Sequence, residues 1–291
     1  MPISARRAKI ILILCSLMVA AVLQAATLPG LDTTLRRDVE FLSDTICAGR
    51  KTGTAGSSAA SFYIIQRLKD LGYEVEVNAF RTTSGAVGHN IVACRPGYAG
   101  RALLIMSGYD GLGKIGEKFY PGADSNASGT AALLSLAERF KGRQDVMLAF
   151  VDGHNANMSG AEALKTYLKD RRLRMVASLD ILGCTLAPPD EFWKDYLIVL
   201  GGAPYQKSLD KANAGTKLHL YYNYYGSRSF TDLFYRKVSD HKVFLERGIP
   251  VLMFTSGITM NTNRETDTWR SLDFQVFARR VEMIGDWLQS Q

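Results

Sequence analysis

Apolar residues fall along this chain in two spacings. Some stand in unbroken runs, such as Leu103-Leu104-Ile105-Met106 and Val146–Val151, too short for helices and suited to strands buried on both faces. The runs predict strands at Val75–Phe80, His89–Cys94, Ala102–Met106, Val146–Val151, Met175–Leu182, Tyr196–Leu200 and Val251–Phe254, with a more peripheral one at Lys217–Tyr222. Elsewhere apolar residues recur every three or four positions, which marks one face of a helix. Ile64, Leu68 and Leu71 do so in a helix that Ser57 or Ser58 can cap and Gly72 ends, and Phe277, Val281, Ile284 and Leu288 do so in a last helix from Asp273. Further helices are expected at Leu31–Ser43, Ala127–Phe140 (capped by Asn126 or Ser128), Gly160–Lys169 and Ser239–Arg247. Strands and helices alternate throughout. That order predicts an α/β three-layer sandwich, a mixed, mostly parallel sheet with helices on both faces. The stretch from Ala203 to Val238, rich in Tyr and Ser, is the least readable part of the chain.

Charge and composition change this picture only at the N-terminus. Arg6, Arg7 and Lys9 precede an apolar run, Ile10 to Leu23, of 14 residues, with small residues at Ala25 and Ala26. This is the pattern of a cleaved leader and is short for a spanning helix. Residues 1–25 are therefore expected to be a signal peptide, residues 26–291 a single domain, and the product periplasmic or secreted. The formal net charge of +7 falls to +4 without the leader, since three basic residues and no acids leave with it. No basic stripe stands out along the sequence, so neither nucleic acid nor, after cleavage, membrane is an expected partner. Three cysteines remain, Cys47, Cys94 and Cys184, which allow at most one disulfide and match no zinc-binding spacing.

The candidate chemistry lies where strands end. After Met106 the chain reads Ser107-Gly108-Tyr109-Asp110-Gly111-Leu112-Gly113, and then Pro121-Gly122-Ala123-Asp124-Ser125-Asn126-Ala127-Ser128-Gly129. Other strands run into Asp152-Gly153-His154-Asn155 and Ser178-Leu179-Asp180-Ile181-Leu182-Gly183. Ser239-Asp240-His241 leads through Phe244 to Gly248-Ile249-Pro250, and a later turn reads Thr262-Asn263-Arg264-Glu265-Thr266-Asp267-Thr268. The Gly-rich segment Gly49–Gly56 has no strand before it and no Gly immediately before Lys51, against a phosphate loop.

These segments, from about Leu31 to Leu288, resemble the co-catalytic zinc aminopeptidases, a metallopeptidase family that includes glutaminyl cyclases and transferrin-receptor-like ectodomains. The family pattern reads A-H-Y-D-H-L-G, P-G-A-D-D-N-A-S-G, G-E-E, N-x-D-x-x-G, S-D-H-x-x-F-x-x-x-G-I-P and Y-H-T-x-x-D-T. The resemblance implies a two-zinc pocket, but Gly108, Ser125, Asn155 and Asn263 stand where it places zinc ligands. His154 stands where it places the general base. Asp180 is the one ligand kept, and Asp110 the residue that would hold a zinc-bound His. A two-zinc hydrolase needs fixed ligands and a base beside a metal-activated water. The expectation is thus a protein without metal or other cofactor, binding a peptide, a small molecule or a protein partner in a pocket formed by Gly108, Asp110, Asp124, Ser125, His154, Asn155, Asp180, Asp240 and Asn263. The alternative is an active aminopeptidase or cyclase with an unorthodox site around Asp110, Asp124, His154 and Asp180. Loss of the bridging Asp and both Glu together reads as a pocket adapted to having no cations. His154, the only basic replacement, is expected to be protonated and paired with Asp180 or Asp110. His89 and His219 read as structural, Asp240 as a helix cap unless the resemblance holds, and Ser107 as no nucleophile, for want of a G-x-S-x-G elbow. The Tyr221–Tyr225 run suits either a binding surface or an amphipathic edge strand.

Overall fold

The computed structural model describes residues 30–291 apart from position 99; the expected leader lies outside them. Eight strands form one sheet: β1 (Glu74–Arg81), β2 (Val87–Cys94), β3 (Ala102–Gly108), β6 (Val146–Val151), β7 (Leu173–Leu179), β8 (Tyr196–Leu200), β9 (His219–Tyr221) and β10 (Val251–Thr255). Their order is β1-β2-β6-β3-β7-β10-β8-β9. The central four, β6, β3, β7 and β10, are parallel. β2 runs antiparallel to β6 and to β1, and β8 antiparallel to β10. The sheet is mixed with a parallel centre, as the alternation of elements predicts.

Successive residues of a strand point to opposite faces, and two cores result. Leu103 and Ile105 of β3 face a layer built by α1 (Leu31–Leu42), α2 (Ala55–Asp70), α3 (Gly129–Arg139) and α8 (Phe274–Gln289). Leu104 and Met106 face α4 (Ser159–Tyr167) and the short α7 (Lys242–Leu245). Helix starts follow local chemistry. Thr54 caps α2, its hydroxyl accepting from Ser57 N–H at 3.3 Å, so Ser57 and Ser58 lie inside the helix. Asn126 Oδ1 accepts from Gly129 N–H at 3.2 Å at the head of α3, while the Ser128 hydroxyl donates to Asp124 C=O. Asp273 caps α8 through Val276 N–H.

One expectation changes, and two stretches hold elements that were not expected. The helix expected over Ser239–Arg247 shrinks to α7, because Ser239 Oγ and His241 Nε2 bond the Phe234 and Tyr235 carbonyls and bind this corner to the helix before it. The unread stretch contains α5 (Gln206–Ala212) and α6 (Arg228–Arg236), the latter capped by Ser227. A small hairpin, β4 (Gly113–Ile115) with β5 (Lys118–Tyr120), fills the loop after β3. Cys47, Cys94 and Cys184 are all free thiols, and Cys47 and Cys184 are buried.

Arg50 is fully buried and donates to the carbonyls of Leu42, Tyr109, Pro121 and Gly122. It satisfies oxygens from α1 and from both ends of the β4–β5 loop, so the Gly-rich segment 49–56 is a structural knot.

Candidate functional site

Since the four central strands are parallel, the loops leaving their carboxyl ends crowd one edge of the sheet, the usual place for a site in such folds. They enclose a cavity of about 170 Å³. Of the nine residues expected there, Gly108, Asp110, Ser125, His154, Asn155, Asp180, Asp240 and Asn263 all line it. Asp124 does not. It lies behind the wall, its Oδ1 accepting from Gly183 and Cys184 N–H at 2.7 and 3.3 Å, and its own N–H donating to Asp267. Spacing alone could not separate it from its neighbour Ser125, because the chain turns between them.

Carboxylates hold the loops by accepting backbone N–H groups. Asp110 accepts from His154 N–H and Asn155 N–H, each at 3.0 Å, and from the Asn155 side-chain amide at 3.2 Å. Asp267 accepts from Asp124 and Ser125 N–H at 2.8 and 3.1 Å. Asp152 accepts from the Thr52 hydroxyl, His89 N–H and Gly153 N–H, which ties segment 49–56 to the loop after β6. The sequence reading assigned no role to Asp152 or Asp267. The signal for both was their place at turns, Asp152 before Gly153 and Asp267 between Thr266 and Thr268, where backbone N–H groups need acceptors. Ser107 Oγ accepts from the Asn126 amide at 3.1 Å and Asp110 is committed to backbone, so no Ser-His-Asp triad forms.

His154 does carry an ion pair, though its partner differs from the expected one. Its Nδ1 stands 3.2 Å from Asp240 Oδ2. Asp110 is taken by the N–H groups of the same loop, while Asp240 comes in from the corner before α7, where no helix cap occupies it. Asp240 holds the imidazole well above its ordinary value, to about 10, against the effect of burial; Asp110 and Asp180 push the same way. Burial raises Asp110 and Asp180 to about 6 each. Asp240 Oδ1 is buried with no hydrogen-bond partner among the described residues. The pocket therefore gathers three aspartates around one imidazole, a lining suited to a cationic group.

Gly108 is part of the same arrangement. A Cβ built there would lie 3.3 Å from Asp240 Oδ2, so a side chain at 108 would press on the inward carboxylate. The apolar wall comes from Tyr224, in the run offered as a binding surface, and from Phe234, Met253 and Ile258, which sequence reasoning missed. Tyr224 and Phe234 stack at 4.5 Å, and both belong to the stretch that showed no readable spacing.

The model of peptidase family M28 matches residues 90–288. Glutaminyl-peptide cyclotransferase of Drosophila melanogaster is 29% identical over 244 residues, covering 72% of this chain and 67% of the relative. Among solved structures, glutaminyl cyclase of Bacteroides thetaiotaomicron bound to N-acetylhistamine superposes with a TM-score of 0.70 at 15% identity, over 91% of this chain and 100% of that one. The aminopeptidase from Aneurinibacillus sp. strain AM-1 gives 0.69 at 15% identity, over 89% and 93%. At such identities the likeness of the two structures speaks for the fold alone.

Proposed function

The chain belongs to peptidase family M28, and we propose that it is an exported member that has given up zinc and hydrolysis and keeps the pocket as a binding site. The observation that carries this reading is the His154–Asp240 pair at 3.2 Å, set against Gly108. A zinc centre of the family kind draws on several imidazole and carboxylate ligands with free lone pairs at about 2.0–2.2 Å. The residues at hand do not fit two such ions. Gly108 offers no ligand atom, Ser125, Asn155 and Asn263 are neutral, and Asp110 is filled by N–H groups. The one imidazole in the pocket has its Nδ1 against Asp240. A protonated His154 replaces part of the positive charge that metal would bring.

What the pocket binds follows from its charge and walls. Asp180 presents a carboxylate that makes no side-chain hydrogen bond among the described residues, below an apolar wall of Tyr224, Phe234 and Ile258. That combination suits a peptide or small molecule with a positively charged group next to an apolar one. Metal analysis of the purified chain tests the first half of the reading. Substoichiometric zinc, with a melting temperature indifferent to chelator, is expected; one or two tightly held ions per chain would overturn it. Isothermal titration with peptides bearing free or acetylated N-termini tests the second half, and equal affinity for both would count against it.

A second reading rests on Asp180 itself. A carboxyl raised to about 6 beside an imidazolium can exchange protons near neutral pH, which cyclisation of an N-terminal glutamine requires. Turnover of such a substrate by the wild type, lost in Asp180→Asn, would favour this metal-free enzyme over the binding protein.

A further inference from the structure

The pocket occupies one end of the central strands, and charge collects at the other. β3, β6, β7 and β10 are parallel, so their amino ends lie together on the opposite edge of the sheet. The four connections that feed these strands, residues 95–101, 140–145, 168–174 and 246–250, carry nine Lys and Arg against three acids, Asp145, Asp170 and Glu246, and the start of β1 adds Glu74 at the rim. Hydrogen bonds knit them into one face. Arg174 donates to Arg101 C=O at 2.9 Å and to Asp145 at 2.7 Å. Arg247 donates to the Leu168 and Lys169 carbonyls at 3.3 and 3.2 Å, and the Gln144 amide to Pro96 C=O at 3.4 Å.

Asp145 is consumed within this face by Arg143 and Arg174, which hold its carboxyl down to about 2. Arg101, Lys141, Lys169, Arg171, Arg172 and Arg247 remain exposed. In the sequence these residues are spread over some 150 positions and form no stripe; the topology gathers them. Guanidinium forks suit phosphate oxygens. Tyr98, beneath Arg171 at 5.6 Å, is the one aromatic of the four connections outside the core, so the face lacks the succession of rings on which bases stack.

We propose that this end of the molecule docks on an anionic phospholipid surface, leaving the pocket turned away from the lipid. The sequence alone gave no reason to expect membrane contact once the leader is removed; the charge assembled by the fold supplies one. The proposal depends on no reading of the pocket.

Sedimentation of the full chain with phosphatidylcholine vesicles, with and without phosphatidylglycerol, tests it. Each cation near such a surface contributes about fivefold in affinity. Lys169→Ala/Arg171→Ala/Arg172→Ala should therefore lower the phosphatidylglycerol-dependent affinity about a hundredfold. Arg101→Ala/Lys141→Ala, on separate connections, should lower it about 25-fold. Residues 1–25 are the same in every protein compared, so their contribution cancels in the ratios. The wild-type preference should fade with added salt as screening lengths fall below about 10 Å. Equal preference in wild type and both variants overturns the proposal, as does a wild type indifferent to phosphatidylglycerol. If the variants lose binding to a duplex oligonucleotide while keeping it to vesicles, the face is a nucleic-acid site and the lipid proposal fails.

Discussion

A histidine held near 10 by a neighbouring carboxylate stores its stabilisation in its proton. The sign follows from linkage: with the folded value above the ordinary 6.5, the contribution is complete below about 6.5 and is lost as pH rises through about 10. The His154 side chain is 40% exposed, so the pair is worth no more than about 1 kcal/mol after screening. His154→Gln should then lower the melting temperature by about 2–4 °C at pH values near 6 and by much less near 10. An equal drop at both, followed by scanning calorimetry, would mean that the imidazole is neutral in the folded protein. That His154 would pair with an acid was legible in the sequence, because it is the only basic residue at a position where the family resemblance places a ligand or the base. Its partner was not. Asp110, Asp180 and Asp240 all enter the same pocket, and only side-chain reach, with Asp110 already spent on two N–H groups, selects Asp240.

Elements differ in how firmly burial holds them. α3 buries eight of its residues, from Gly129 to Ala137, whereas α6 has no buried residue and is kept in place by its Ser227 cap, the Tyr235 hydroxyl on Val251 C=O and the Phe234–Tyr224 stack. Few buried apolar contacts mean a low cost of local opening. Amides of α6 should exchange with deuterium much faster than those of α3, and a ligand in the pocket should slow α6 selectively, since Phe234 lines the wall. Uniform protection across both helices would contradict this. The same contrast explains which elements could be read in advance. Central strands and the helices against them carry unbroken or periodic apolar residues, so β6, β8 and β10 fall where the pattern puts them. α6 packs one aromatic side of a short helix against the pocket rim, and α7 is cut short by hydrogen bonds to α6. α6 has Phe230, Leu233 and Phe234 at helical spacing, but in a run too short to stand out, and α7 is a remnant of the longer helix that the sequence predicts.

At the scale of the molecule, one buried guanidinium joins parts that the layers alone do not. Arg50 gives its N–H groups to four carbonyls from three segments, and no other side chain could satisfy all of them. Arg50→Lys keeps the charge and loses the fork, so it should destabilise by about 3 kcal/mol or more, read from urea denaturation. A change below about 1 kcal/mol would show that the knot is dispensable. The contact between position 108 and Asp240 has a longer reach. A Cβ at 108 would stand 3.3 Å from Asp240 Oδ2, so a histidine there must shift that carboxylate and loosen its contact with His154. Gly108→His alone should therefore yield a less stable protein, read from urea denaturation. Positions 108 and 240 are thus coupled: the cost of Gly108→His should shrink in an Asp240→Ser background, a departure from additivity that a double-mutant cycle reads.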